Sequence, residues 1–289
     1  MNFAMRDCTF AGVELRALTR SHVEAWIKGM DRRGLAPGTI KTRVNNVRSV
    51  LRGAIGDRLL SNDPMVGVTL PRARRAEHAM TIPSTEEVGA LLRAADSMFV
   101  PYIALCAFAG LRLGEASAVQ LPDVDFLRRV LLVRRQVQRA GGGEVEVSPP
   151  KYGSERNVAI PDELATMLSE HVRTHGVRGD ESWLFVGDHG NPPHQNTVGY
   201  WWRKTRRDAG VDHIRLHDLR HYFASGLIAS GCDVVTVQRA LGHSKPTTTL
   251  NTYAHLWPTA EDRTRAAASN LMREALASAV ADRMRTAGA

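Results

Sequence analysis

Between Val124 and Ile160 the apolar residues fall on alternate positions, in a chain whose other apolar runs follow helical spacing. That change of period confines any sheet to one short segment. A strand buries every second residue, whereas a helix buries every third or fourth. Val124 and Phe126 predict a short strand, Val130 to Val137 a longer one, Val145 to Val147 a third and Val158 to Ile160 a last. The expected fold class is therefore mainly α with a small antiparallel β-sheet of about three strands. Lys151 stands in the turn between the last two strands, in Pro149-Pro150-Lys151-Tyr152-Gly153-Ser154. A turn lysine is ordinarily just solvated.

The residues before this segment predict a small helical domain. Thr19 can cap a helix with Val23, Trp26, Ile27 and Met30 inward, Gly34 ends it, and Ala36-Pro37-Gly38 reads as a loop. Thr39 then opens a helix whose Ile40, Val44, Val47 and Leu51 share one face. Lys41, Asn45, Arg48 and Arg52 repeat that spacing one residue later, with Arg43 beside them. Amides and guanidiniums in one stripe can hold phosphates and reach base edges, although a solvated helix face looks the same. Arg72, Arg74 and Arg75 form a basic, aperiodic run that suits either a strap across a phosphate backbone or a solubilising linker. The expected organisation is a short helical domain over 1–72, a basic linker over 73–82 and a larger domain over 83–289.

The larger domain opens on a capping box, Ser84 with Glu87, and residues 101–109 are apolar nearly all round, which predicts a buried helix. That helix runs into Gly110-Leu111-Arg112-Leu113-Gly114-Glu115, a costly place for charge unless Arg112 and Glu115 pair. A helix over 197–209 carries Arg203, Lys204, Arg206 and Arg207. Another, over 260–285, is amphipathic, with Leu271, Ala275 and Ala279 inward and Met272, Leu276 and Val280 as further inward candidates.

Charge narrows the partners. Against 30 acidic residues stand 38 basic ones, a net +8 and a pI near 9.8, which favours a polyanion. Cys8, Cys106 and Cys232 are odd in number and far apart, so a disulfide framework is not expected and a reducing compartment is. No apolar run reaches the roughly 18 residues of a membrane span, and the N-terminus lacks a secretory pattern. A cytoplasmic protein is expected.

The chemistry-bearing residues gather between His213 and Tyr253. His217 and Arg220 stand three apart and share a helical face, with Leu219, Phe223 and Leu227 as its apolar side. Leu241-Gly242-His243 reads as a helix end, and Tyr253 follows on a new short segment beyond Pro246. A phenol near histidines and arginines suggests nucleophilic attack on an anionic group. His217 and His221 also match the spacing of a zinc-binding pair, but a metallohydrolase would leave Tyr253 and the arginines without a role.

Taken together, these pieces resemble the tyrosine recombinase (phage integrase) family. The motifs are AGLRLGE at 109–115, PPKYGSER at 149–156, HDLRHYFAS at 217–225, LGHSKPTTTLNTYAHL at 241–256 and LAPGTIKTRVNNVRSVLR at 35–52. They cover nearly the whole chain in family order. The resemblance implies a catalytic set of Arg112, Lys151, His217, Arg220, His243 and the nucleophile Tyr253, with Glu115 supporting the first arginine. It implies a site-specific DNA recombinase that forms a 3′-phosphotyrosyl link, with Arg112, Arg220 and His243 on the phosphate, His217 as base and Lys151 as acid. Because the bond energy stays in the covalent intermediate, no metal or nucleotide cofactor is expected. Double-stranded DNA, a tetramer docked through the 260–285 helix and an accessory directionality factor are the implied partners; no membrane is. Phage or mobile-element integration is the expected role. Chromosome-dimer resolution, a relaxing topoisomerase, a non-catalytic remnant and a DNA-binding regulator are the alternatives.

Overall fold

Val23, Trp26, Ile27 and Met30 form the buried stripe of α1 (Arg20–Arg32), each 4% exposed or less. In this computed structural model the described residues are 8–71, 80–140, 144–187, 190–257, 264–265 and 267–277. The chain divides into two compact units, Met1–Ala79 and Met80–Ala289.

In the first unit, α1 packs against α2 (Pro37–Gly56). The expected loop at Ala36-Pro37-Gly38 is instead the helix start, with Pro37 in the first turn, where its fixed φ suits a helix and its missing N–H costs nothing. Ile40, Val44, Val47 and Leu51 face α1, and Phe10 closes the core edge-on to Trp26 at 5.6 Å. Each such buried side chain contributes about 1.5–3 kcal/mol of transfer free energy to the fold. Lys41, Asn45 and Arg52 lie exposed outside that core, with Arg43 and Arg48 partly buried. Arg72, Arg74 and Arg75, and residues 73–79 of the expected linker, lie outside the described residues.

The second unit is built around a helix that is almost wholly inside. α3 (Thr85–Ala94) starts as its sequence predicts: Ser84 Oγ accepts from the Glu87 N–H at 3.2 Å, and Glu87 Oε2 accepts from the Ser84 N–H at 2.8 Å. α4 (Val100–Phe108) follows, and Tyr102 to Ala107 are no more than 1% exposed. The Tyr102 hydroxyl donates to Leu113 O at 2.6 Å and lies 2.9 Å from Ser117 Oγ, which ties the short α5 (Leu113–Ser117) to α4.

The strand segment forms two sheets rather than one. β1 (Val124–Asp125), β2 (Val130–Val133) and β5 (Arg156–Ala159) make an antiparallel sheet in the order β1-β2-β5. β3 (Gln136–Arg139) and β4 (Val145–Ser148) pair separately, with Val137 opposite Val147. The expected long strand from Val130 to Val137 breaks at Arg134–Arg135. Continued alternation would have put Arg135 on the inner face with Leu131 and Val133; the strand ends, and Arg135 pairs with Asp123.

Further helices follow among the described residues: α6 (Asp162–His175), α7 (Gln195–Asp208), α8 (Leu216–Ala229), α9 (Val234–Leu241) and α10 (Pro246–Tyr253). α8 packs along α4, and α9 and α10 fold over its C-terminal half around Ala224, Ile228, Val237, Leu241 and Tyr253. Residues 267–277 are helical, but Leu271, Met272 and Leu276 are 68%, 65% and 55% exposed, and Ala275 is exposed too. The expectation that Leu271, Ala275, Met272 and Leu276 turn inward is thus corrected: this stretch buries no face in its own chain. Ala279 and Val280 lie outside the described residues. Among the described residues no helix is long and apolar enough to cross a membrane, and the three cysteines are free thiols.

Candidate active site

Three element ends meet at one place: the start of α5, the start of β5, and the turn after α9. Arg112 is the N-cap residue of α5, so the helix start fixes its backbone. Its Nη1 donates to Glu115 Oε1 at 2.6 Å, its main-chain N–H to Glu115 Oε2 at 3.0 Å, and its Nη2 to Gly242 O at 3.3 Å. The side chain keeps 28% exposure, so the guanidinium is held from behind and open in front.

Glu115 is buried at 2% exposure and carries a second cation. Arg156, whose side chain is 6% exposed, donates from Nη2 to Glu115 Oε2 at 2.9 Å and from Nη1 to Oε1 at 3.2 Å. Burial alone would raise this carboxyl's pKa. The Arg156 hydrogen bonds and the Arg156 and Arg112 charges outweigh it and hold it at about 2. Arg156 Nε reaches on to Ala240 O at 2.9 Å. Gly242 allows the approach: its φ is +62°, and a Cβ there would lie 2.8 Å from the Arg156 side chain.

Arg220 lies 2% exposed on α8. Its Nη1 donates to Gly110 O at the end of α4, and its Nη2 to Leu241 O at the end of α9. Each Nη keeps a second N–H. Burial first, then the Arg112 and Arg156 charges, press its pKa down to about 9, which still leaves it cationic at neutral pH.

The three histidines here sit in this positive field. His243 follows the α9 turn, and its Nδ1 lies 2.9 Å from Thr249 Oγ1 on α10. Burial, then Arg220, Arg112 and Arg156, hold its pKa at about 4. His217 keeps an open face to solvent, yet packing around its ring, His221 and the arginines bring it to about 4 as well. Both rings are therefore neutral at pH 7. Tyr253 ends α10 at 1% exposure, and its hydroxyl lies 2.8 Å from His221 Nδ1. Burial raises the phenol's pKa, while the Arg220 and Arg112 charges act to lower it.

Arg112, Glu115, His217, Arg220, His243 and Tyr253 thus share one site. Lys151 lies exposed on a single 3₁₀ turn, Lys151–Gly153, that joins β4 of one sheet to β5 of the other. Lys41, Arg43, Asn45, Arg48 and Arg52 belong to the other unit. His213 points away and meets Glu87 Oε1 at 3.1 Å. Arg156 escaped the sequence reading although a signal existed: it alternates with the buried Val158 and Ile160, so period two places its charge inside. The contact of His221 with Tyr253 joins residues 32 apart and had no sequence signal. Among the described residues no group of three or more His, Cys, Asp or Glu is placed to hold a metal ion.

Comparison with known proteins bears on the family and the fold. Residues 75–259 match the model of the phage integrase family. A putative prophage phiRv2 integrase of Mycobacterium tuberculosis is 28% identical over 241 residues, covering 82% of this chain and 63% of the relative. A XerC-like tyrosine recombinase of Caldanaerobacter subterraneus is 25% identical over 88% of this chain and 71% of its own. The chain therefore spans about 63% of the length of the prophage integrase it matches. Among solved structures, the Tn1549 transposon integrase in complex with transposon right end DNA shares the fold, with a TM-score of 0.76 at 20% identity over 93% of this chain and 90% of that one.

Proposed function

This chain belongs to the phage integrase family, and from that premise we propose that it is a site-specific DNA recombinase that cuts and rejoins strands through Tyr253. The observation that carries the reading is the buried Tyr253 hydroxyl, within the electrostatic field of Arg112 and Arg220 and hydrogen-bonded to a histidine.

A phosphodiester repels nucleophiles, and its pentacoordinate transition state gathers further negative charge on the equatorial oxygens. Arg112, open at its front, the remaining N–H groups of Arg220, and His243 are the donors for those oxygens. A preorganised donor of this kind contributes on the order of 3 kcal/mol to the transition state. Glu115 and Arg156 hold Arg112 in place from behind. A histidine of the His217–His221 pair takes the phenolic proton, and Lys151, on its exposed turn, protonates the leaving 5′ oxygen. The products are a 3′-phosphotyrosyl link and a free 5′-hydroxyl. The link conserves the energy of the broken bond, so rejoining calls for no nucleotide or metal.

Double-stranded DNA is the substrate. The basic stripe Lys41, Arg43, Asn45, Arg48 and Arg52 is its proposed binding face outside the active site, and Arg72, Arg74 and Arg75 are proposed from their sequence as further phosphate contacts. The relatives' names favour integration of a phage or other mobile element; an accessory factor that sets direction is proposed on the family resemblance alone. Exchanging two duplexes breaks four strands, and one Tyr253 per chain then calls for four copies. The exposed Leu271, Met272 and Leu276 offer an apolar face for that assembly.

The test is covalent trapping. A pool of nicked duplexes randomised around the nick gives an SDS-resistant adduct with the unaltered chain and none with Tyr253→Phe. An adduct that persists in Tyr253→Phe removes Tyr253 as the nucleophile.

A further inference from the structure

His221, not His217, touches the atom that must lose a proton. Its Nδ1 lies 2.8 Å from Tyr253 Oη, while the His217 ring stands edge-on to His221 at 4.9 Å between centroids. Tyr253 is 1% exposed, so the fold itself supplies the group beside its hydroxyl. As acceptor from a phenol, His221 carries its own proton on Nε2. Burial, with Arg220 and Arg215 assisting and Asp218 opposing, keeps the ring's pKa below its usual 6.5, so the neutral, accepting form prevails at pH 7.

Asp218 stands one turn before His221 on the same face of α8 and is 1% exposed. Its Oδ2 accepts from the Arg215 N–H at 2.8 Å and from Arg215 Nε at 3.3 Å. Its Oδ1 is buried with no hydrogen-bond partner. Leaving a buried acceptor unmade costs on the order of 1–3 kcal/mol, so an uncompensated oxygen here calls for a reason. The charge of Asp218 favours the protonated form of His221, the form made when Tyr253 is deprotonated.

We propose that Asp218, His221 and Tyr253 form a proton relay, in which His221 Nδ1 takes the phenolic proton as Tyr253 attacks and Asp218 steadies the resulting imidazolium. The relay rests on the strand-transfer reading above. In cleavage the Tyr253 Oη–P bond forms and the P–O5′ bond breaks; the phenolic proton passes to His221, and the 5′ oxygen takes a proton from Lys151. In rejoining, the 5′-hydroxyl gives its proton to Lys151 and attacks phosphorus, the Oη–P bond breaks, and His221 returns its proton to Oη. His217 is then free to face the phosphate.

The experiment is single-turnover adduct formation on the nicked-duplex pool, from about pH 4.5 to 8, for the unaltered chain, His221→Gln and Asp218→Asn. The unaltered chain loses rate on the acid side, below pH 6.5, as His221 protonates. His221→Gln lacks that limb and is slower by about 100- to 10,000-fold. Asp218→Asn moves the limb to lower pH, because the charge that favours protonation is gone. A His221→Gln rate close to that of the unaltered chain, or a limb that survives in it, overturns the relay alone; a limb unmoved in Asp218→Asn removes Asp218 from it. If the unaltered chain gives no adduct with any duplex, the strand-transfer reading falls and the relay with it. Should His221→Gln fail to fold, fluorotyrosine at position 253 in the otherwise unaltered chain replaces it. Its fluorine resonance must then titrate with the midpoint of the rate limb, and a shift that stays constant across the range overturns the relay.

Discussion

Arg220 shows what a single side chain is asked to do here. A charge at 2% exposure survives because its guanidinium donates to the carbonyl ends of two helices, Gly110 O after α4 and Leu241 O ending α9. The same group keeps one N–H on each terminal nitrogen, so beside bracing two helix ends it can take the proposed role of phosphate donor. Lysine keeps the charge but not the planar fork. Arg220→Lys is therefore expected to lower adduct formation by about 100- to 1,000-fold and also to lower the melting temperature. Trapping and a thermal melt on the same sample check it. A loss of rate with no loss of stability would mean that the two carbonyl contacts are not braces.

At the scale of elements, the start of α5, the start of β5 and the turn after α9 are keyed together by Glu115 between Arg112 and Arg156. Glu115→Gln leaves two guanidiniums without their counter-charge, and it should cost about 3–5 kcal/mol in urea unfolding. The pH dependence carries the same signature. Glu115 titrates at about 2 when folded against 4.5 as the reference, so its contribution of about 3 kcal/mol is fully present above pH 4.5 and is lost as pH falls through 2. His217 and His243 add an earlier loss of the same sign. Between pH 6.5 and about 4 the unfolded chain binds their protons and the folded chain does not, so stability falls across that window. Stability measured against pH should thus decline in two stages, and Glu115→Gln should flatten the lower one only. A single step, or an unchanged lower stage in Glu115→Gln, would contradict the lock.

At the scale of the molecule, the two units have separate cores, one around Trp26 and Ile40 and the other around α4. Residues 80–289 expressed alone should fold with a cooperative transition of their own. Their DNA affinity should be lower than the full chain's, and should fall less steeply between about 50 and 200 mM salt. The slope should shrink by roughly one unit for each phosphate that α2 and the basic run neutralise in the full chain. Equal salt slopes for the two proteins would mean that Lys41, Arg43, Arg48 and Arg52 neutralise no phosphates.

Much of this architecture is local and therefore legible in sequence. The Ser84–Glu87 box, the buried Tyr102–Ala107 run, the inner face of α2 and the left-handed Gly242 each follow from near neighbours, because capping, helical period and glycine's freedom act within a few residues. The family resemblance likewise named Arg112, His217, Arg220, His243 and Tyr253, which the fold brings near one another, and Lys151, which lies exposed on its turn. Other features needed the third dimension. The strand after Val130 breaks because Arg135 finds Asp123, and the apolar residues of 267–277 stay exposed because no surface of their own chain covers them. The division of labour among the histidines was equally out of reach. His217 and His221 are interchangeable by spacing, and only the folding of α10 against α8 brings Tyr253 to 2.8 Å from one of them. A sequence specifies which groups are available; which of two histidines on one helix lies beside the Tyr253 hydroxyl depends on the packing of residues 32 apart along the chain.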